Sequence, residues 1–310
     1  MIVVLAGGVG AARFLQGVVQ LVPQEQLTVI VNTGDDRDFY GLHVSPDIDI
    51  VTYTLAGVVD ETHGWGIRND TYNTMQQLIR YGNEDWFLLG DRDLATHIHR
   101  TNLLRQGKTL SEVTDNLRTQ YGLKLRLLPM SDQPVTTHIQ TPAGLLHFQE
   151  YMVKRRCEDE VQGVTFVGAS EARPAPGVLD AIKGAEAILI APSNPIVSIG
   201  SILAVPGIHD ALHEASGMIV AVSPIVGGAP IKGPADKLLR GLGMEVSAVG
   251  VTRCYRDFLD VMVIDNQDEH LTSEIEDLGI PTVVTDTIMR DAATKAALAR
   301  TVLQAAGLAF

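Results

Sequence analysis

Two cysteines in 310 residues, Cys157 and Cys254, are too few for a zinc set or a disulfide framework. Both read as ordinary thiols, as suits a reducing compartment. Positive charge is also scarce: 24 Lys and Arg stand against 37 Asp and Glu, a formal charge of −13. A general nucleic-acid surface needs clustered cations and is excluded, whereas a small anion can still be held locally by backbone N–H groups, a few basic side chains and a metal ion. No apolar run approaches the length that spans a bilayer, and the opening MIVVLAG has neither a basic leader nor a cleavage pattern. A cytoplasmic protein without a membrane partner is expected. Linkers, low-complexity tracts and internal repeats are missing too, which predicts one α/β domain over residues 1–310.

What is abundant is apolar residue, 45% of the chain, enough to fill a sizeable core. Strand-like runs recur between helical patterns: LTVIV, WFLLG, LKLRLL, VTFVG, AILIA, MIVAV and PTVVT. Their alternation predicts a doubly wound, mostly parallel Rossmann-like sheet. VTYTLAGVV, TYNTMQQLIRYG, DLATHIHRTNLLRQ and LSEVTDNLRTQY make four successive helices, so a helical insertion is expected at about 50–125, covering the carboxyl ends of the strands. Thr109 and Glu112 have capping-box spacing, and THIQTPAGLLHFQEY reads as a β-hairpin.

The first eighteen residues, MIVVLAGGVGAARFLQGV, read as strand, glycine turn and helix. Gly7, Gly8 and Gly10 can admit a ligand close to the backbone, and the following helix offers unpaired N–H groups and the positive end of its dipole. This is a phosphate-binding arrangement, with a ligand-free tight turn as the plain alternative. A dinucleotide fingerprint is not met: Arg13 occupies the third glycine position, and the second strand ends in Asn32 where a ribose-binding acid would stand.

Five polar stretches follow predicted strands and should converge on one edge of the sheet: VNTGDDRD, LLGDRDLATHIHR, LLPMSD, IAPSNP and VSPIVGGAPIKGPADK. The first loop gathers Asp35, Asp36, Asp38, Asp47 and Asp49. Mg²⁺ is usually held by one or two carboxylates plus substrate phosphates, and Asp47 with Asp49 is the favoured metal or general-base pair, although any single aspartate here could simply cap a turn. Asp91 and Arg92 open a helix that carries His97 and Arg100. Arg92, His97 and Arg100 suit an anionic substrate as well as they suit ion pairing, whereas His97 and His99 face different ways and make no zinc site. Ser193 and Asn194 can hydrogen-bond a base or phosphate. Ser223, Gly227, Gly228 and Lys232 resemble a second phosphate cradle without P-loop spacing.

Taken in order, LAGGVGAARFLQG, VNTGDD, GLHVSPDIDIVTYTL, GWGIRNDT, LGDRDLATHIHR, LLPMSD, LLHFQEY, IAPSNPIVSIG and VSPIVGGAPIKGPADK closely resemble the 2-phospho-L-lactate transferase family, CofD or FbiA. The resemblance implies transfer of a phospholactyl or phosphoenolpyruvyl group from a guanosine-diphosphate-activated donor to the terminal hydroxyl of the deazaflavin Fo, with release of GMP, in coenzyme F-420 biosynthesis. It further implies that GGVG, PSNP and SPIVGG hold the guanosine diphosphate. The SPDID loop and the LLGDRD loop, with Leu88, Asp91 and Arg92, would face Fo and Mg²⁺; Asp49 would sit at the reacting centre, and the chain would form a homodimer. Arg13 stands where the family usually has a small residue or lysine. The alternative from another class is a YvcK-like regulatory protein that binds nucleotide sugars without turnover; the GWG and GDRDLATHIHR segments favour the enzyme.

Overall fold

Ile2–Ala6 (β1) is apolar at every position because it runs through the middle of a sheet covered on both faces. Val3 and Leu5 point into one core with Ile188 and Ile190, while Ile2, Val4 and Ala6 point into the other with Ala187 and Leu189. The computed structural model describes residues 1–309. Its further strands are β2 (Leu27–Val31), β3 (Arg37–Phe39), β4 (Leu42–Val44), β5 (Arg126–Pro129), β6 (Thr136–Thr141), β7 (Gly144–His147) and β8 (Gly163–Val167). After them come β9 (Ala187–Ile190), β10 (Met218–Val222), β11 (Ile225–Val226), β12 (Ala229–Pro230), β13 (Val261–Asp265) and β14 (Thr282–Thr285).

Seven strands form the main sheet in the order β14-β13-β10-β9-β1-β2-β5, and every neighbouring pair is parallel. The chain runs outward from β1 through β2 to β5, then returns to place β9 on the other side of β1. The topological switch point, where a crevice opens beyond the carboxyl ends, therefore lies between β1 and β9.

The turn after β1 starts α1 (Gly8–Val18), whose Phe14, Leu15 and Val18 are buried with Leu298 and Val302 of the C-terminal helix Ala292–Ala305. A Cβ built at Gly17 would lie 2.1 Å from Lys295 O, so this crossing depends on the missing side chain. Four helices separate β2 from β5: α2 (Pro46–Leu55), α3 (Asn73–Arg80), α4 (Asp91–Arg105) and α5 (Leu110–Gln120). Pro46 at the first position of α2, followed by Asp47 and Asp49 in its first turn, suits a helix start. Thr109 and Glu112 make both reciprocal bonds of the capping box that opens α5.

Three differences from the sequence pattern have physical reasons. WFLLG is irregular and not a strand: Phe87 stacks on Phe39 with ring centroids 3.8 Å apart, and Trp86 meets Phe39 edge-on at 5.4 Å. Its apolar character serves the small core of Phe39, Val44, Met75, Leu89 and Leu94 that anchors the helical segment. VTFVG is a strand, β8, but pairs antiparallel with β6, extending the expected β6–β7 hairpin to three strands outside the main sheet. Val261–Asp265, absent from the expected set, is a main-sheet strand between β10 and β14.

Candidate active site

At the switch point β1 and β9 are stitched together by one hydroxyl: Gly7 N donates to Ser193 Oγ at 3.1 Å, and Ser193 Oγ donates to Gly7 O at 2.8 Å. A Cβ at Gly10 would lie 2.3 Å from Pro192 O, and one at Gly7 would lie 2.6 Å from Ser198 Cβ and 2.9 Å from Asp47 Oδ2. Those two glycines are required by the protein's own packing. Gly8 differs: its φ is +74°, a Cβ there would come only to 4.0 Å from Asp47 Oδ1, and its backbone N–H donates to the Asp47 carboxylate. The start of α1 thus faces a cavity of about 800 Å³, bounded by the ends of β1, β9, β10 and β14, the first turn of α2 and the loop around Trp65.

Carboxylates form one wall. Asn32 Nδ2 donates to Asp47 Oδ2 at 2.8 Å, while Asn32 Oδ1 accepts from Gly34 N at 2.7 Å and from Ser201 Oγ. Asn32 therefore holds Asp47 from behind and does not line the cavity. Burial, opposed by the Asn32 bond and assisted by the charge of Asp36, pushes Asp47 up to about 7. Burial and the charge of Asp47 raise Asp35 well above the usual carboxylate range, and its buried Oδ1 has no hydrogen-bond partner. Asp36 turns away from the cavity: Ser45 Oγ donates to it at 2.8 Å, and His43 Nε2 lies 3.2 Å from its Oδ2. Burial nevertheless raises Asp36, against these two partners.

Asp49 is matched to a fully buried arginine. Arg100 Nη1 donates to Asp49 Oδ2 at 3.1 Å, Arg100 Nη2 bonds Asp49 Oδ1, and Arg100 Nη1 also donates to His97 Nδ1 at 3.1 Å. His97 Nε2 lies 3.1 Å from Asp93 Oδ1, which also accepts from Tyr53 Oη at 2.8 Å. Both oxygens of Asp49 accept from Arg100, whereas Asp35 and Asp47, the carboxylates that repel each other, include an unpartnered oxygen, so of the expected pair Asp47 and Asp49 it is Asp47, with Asp35, that offers the less engaged carboxylates. Among the described residues no three His, Cys, Asp or Glu side chains are arranged to hold a metal unaided. An Mg²⁺ ion there fits as one held by two carboxylates and completed by substrate phosphates.

Of the residues anticipated from sequence, Gly7, Gly8, Gly10, Asp35, Asp47, Asp49, Leu88, His97, Ser193, Asn194, Ser223 and Lys232 line the cavity. Six do not. Asn32 and Asp36 lie behind it, and Arg100 is spent on Asp49. Asp91 caps α3, accepting from Thr71 Oγ1 at 2.6 Å and Thr74 N at 3.0 Å, bonds that hold its carboxyl well below the usual range. Arg92 is exposed, its Nη1 3.4 Å from Arg68 O. Gly227 N donates to both oxygens of Asp268 at 3.1 Å, so the second glycine turn cradles an internal carboxylate. LLPMSD also ends in structure: Asp132 accepts from Ser111 N and Oγ at 2.7 Å. Sequence reasoning left out Arg13, Ser198 and the 287–290 loop. That loop follows PTVVT at a strand's carboxyl end and is pinned by Thr287, which donates to Asp265 Oδ2 from N at 2.8 Å and from Oγ1 at 3.0 Å.

A doubly wound parallel sheet with a glycine turn opening into a large cavity at its switch point defines an α/β ligand-handling protein of Rossmann-like type. The chain belongs to the family described as 2-phospho-L-lactate transferase CofD, which matches residues 2–303. It is 48% identical to the phosphoenolpyruvate transferase of Streptomyces griseus subsp. griseus, over 98% of both chains. It is 44% identical to the 2-phospho-L-lactate transferase of Methanosarcina mazei, over 98% of this chain and 99% of that one. The fold alone is shared with a solved member of the UPF0052 family from Bacillus halodurans: TM-score 0.65, 14% identity, 97% of this chain and 98% of that one. By family the chain is an enzyme, a transferase of coenzyme F-420 biosynthesis, and the nucleotide-sugar-binding alternative is disfavoured.

Proposed function

We propose that this enzyme transfers a phospholactyl or phosphoenolpyruvyl group from a guanosine-diphosphate-activated donor to the terminal hydroxyl of Fo, releasing GMP. The observation that carries this is the position of the glycine turn at the start of α1, which lines one cavity together with the buried pair Asp35 and Asp47. Diphosphate oxygens meet the N–H groups at the start of α1. Asp35 and Asp47 would hold Mg²⁺, which supplies neutralising charge to the diphosphate when bound. Asp49, kept in place by Arg100, accepts a hydrogen bond from the acceptor's hydroxyl and aims its oxygen at phosphorus. Positioning of this kind is what phosphoryl-group transfer chiefly demands. Trp86, Phe87, Leu88, Phe148 and Met152 make an apolar lobe suited to the flat deazaflavin. A cytoplasmic homodimer completes the proposal.

Fo is yellow and fluorescent, so binding is read directly. Saturable quenching of Fo by the enzyme, weakened in Leu88→Ser, supports the assignment. A protein that binds a nucleotide sugar and leaves Fo fluorescence unchanged would belong to the regulatory class.

A further inference from the structure

The cavity has a second charged wall with no counter-charge of its own. Arg13, one turn into α1, and Lys232, in the turn after β12, both line it, and among the described residues neither has a carboxylate within ion-pair distance. The other arginine lining the cavity, Arg290, is matched to Asp286 at 2.6 Å. Arg13 is anchored instead by donating from Nη2 to Met289 O, in the loop that Asp265 pins through Thr287. One of five guanidinium N–H groups is thereby used, and the planar fork is fixed in direction. The Lys232 ammonium lies beside Gly64, where a Cβ would come within 2.6 Å of Nζ, so the bare glycine makes its room. Partial desolvation and then the charge of Arg13 pull the Lys232 ammonium below its ordinary range, which locates the two cations within electrostatic reach of each other. The neighbouring Lys295 is also depressed, by partial burial and then by Arg13, but it donates to Gln16 Oε1 at 2.6 Å and has Glu61 and Asp291 for compensation.

We infer that Arg13 and Lys232 form an anion subsite for a phosphoryl or carboxylate group of the donor, separate from the Gly7–Gly10 turn and opposite the carboxylate wall. Arg13 is tied to the loop after β14 and Lys232 lies beside Gly64, while Asp35 and Asp47 follow β2, so one cavity carries both signs of charge. A donor would lie with its extra anionic group on Arg13 and Lys232 and its reacting phosphorus toward Asp49. The donor class rests on the proposed function; the subsite rests on the uncompensated pair.

Calorimetry on the full chain with three probes, GDP, GMP and phosphoenolpyruvate, tests it. Lys232→Gln is a change at an exposed side chain, and Arg13→Gln is checked by its melting temperature. Each should weaken at least one probe roughly ten- to hundredfold, the loss expected for a hydrogen bond to a charged group, with a shallower salt dependence, and Arg13→Lys should recover part of the loss. Loss confined to GDP and GMP identifies the group as a nucleotide phosphate; loss confined to phosphoenolpyruvate identifies the acyl end of the donor. Folded variants that bind all three probes as the parent does overturn the subsite. Failure of the parent to form product from Fo would instead remove the donor assignment, and the binding losses would still establish the subsite.

Discussion

Replacing Arg100 by methionine tests the account of Asp49. Arg100 has no exposed surface and Asp49 is 5% exposed, so the substitution leaves a buried carboxylate with no guanidinium partner and only the His97 ring, Nδ1 at 3.7 Å, beside it. Methionine roughly fills the apolar length of the arginine stem, so the main loss is electrostatic. Removing one partner of a buried pair costs about 3–5 kcal/mol, because the desolvation of the other is no longer offset. In a chain of this size that corresponds to a fall in melting temperature of roughly 5–10 °C. The double variant Arg100→Met with Asp49→Asn carries no buried charge at this point and should melt above the sum of the two single changes, a coupling of about 1–3 kcal/mol. Thermal unfolding followed by circular dichroism measures all four corners of the cycle. An Arg100→Met protein that melts within about 1 °C of the parent, with strictly additive effects, would refute the buried-pair reasoning.

Glycines 8 and 10 should separate ligand from fold. Gly10→Ala drives a methyl into Pro192 O and should lower the melting temperature markedly, whereas Gly8→Ala mainly carries the strain of positive φ, about 1 kcal/mol, and should weaken GDP binding more than it lowers stability. Stability should also report the carboxylate wall. Without metal, burial pushes Asp47 up to about 7, so the folded chain holds more protons than the unfolded one between about pH 4 and about pH 7, and this stability is lost as pH rises through that range. His147, pulled down to about 4 by burial, acts in the opposite direction below about pH 6.5, so the readout is the difference between the parent and Asp47→Asn. The parent should lose ground relative to Asp47→Asn from about pH 4 to about pH 7 and run parallel to it above that; parallel curves throughout contradict the assignment. Mg²⁺ should bind tightly only together with GDP, and chelation should abolish turnover; calorimetry showing strong Mg²⁺ binding without nucleotide would mean a self-sufficient site elsewhere. Because phospholactate and phosphoenolpyruvate differ only in a small apolar group, competition between the activated donors should give both products with a preference below roughly a thousandfold.

Much of this arrangement was legible in the sequence because it is local. Period and composition mark β1, β2, β9 and β10 as buried parallel strands, the four helices as a separate run, and the β6–β7 hairpin by its turn. The glycine turn, Ser193 and the acidic loop could be placed at one edge because strand ends converge there. Pairings over distance could not be read. Arg100 lies 51 residues from Asp49, and nothing in GDRDLATHIHR distinguishes an arginine that meets substrate from one spent on a buried aspartate. Asp91 looked like a site residue because it follows a glycine at the start of α4, but its carboxylate is spent on the start of α3, 17 to 20 residues away in sequence. Aromatic Trp86 and Phe87 imitated a strand because a satellite core needs the same residues. Arg13 was conspicuous only as a mismatch to a glycine fingerprint, and its partnership with Lys232 exists only once β12 and α1 are folded together.

The central claim is tested most directly by the product. Fo incubated with the enzyme, Mg²⁺ and each guanosine-diphosphate-activated donor, then resolved by mass spectrometry, should yield F-420-0 from the phospholactate donor and its dehydro form from the phosphoenolpyruvate donor, with one GMP for each deazaflavin consumed. Unchanged Fo with both donors, under conditions where GDP binding is demonstrated, would contradict the account.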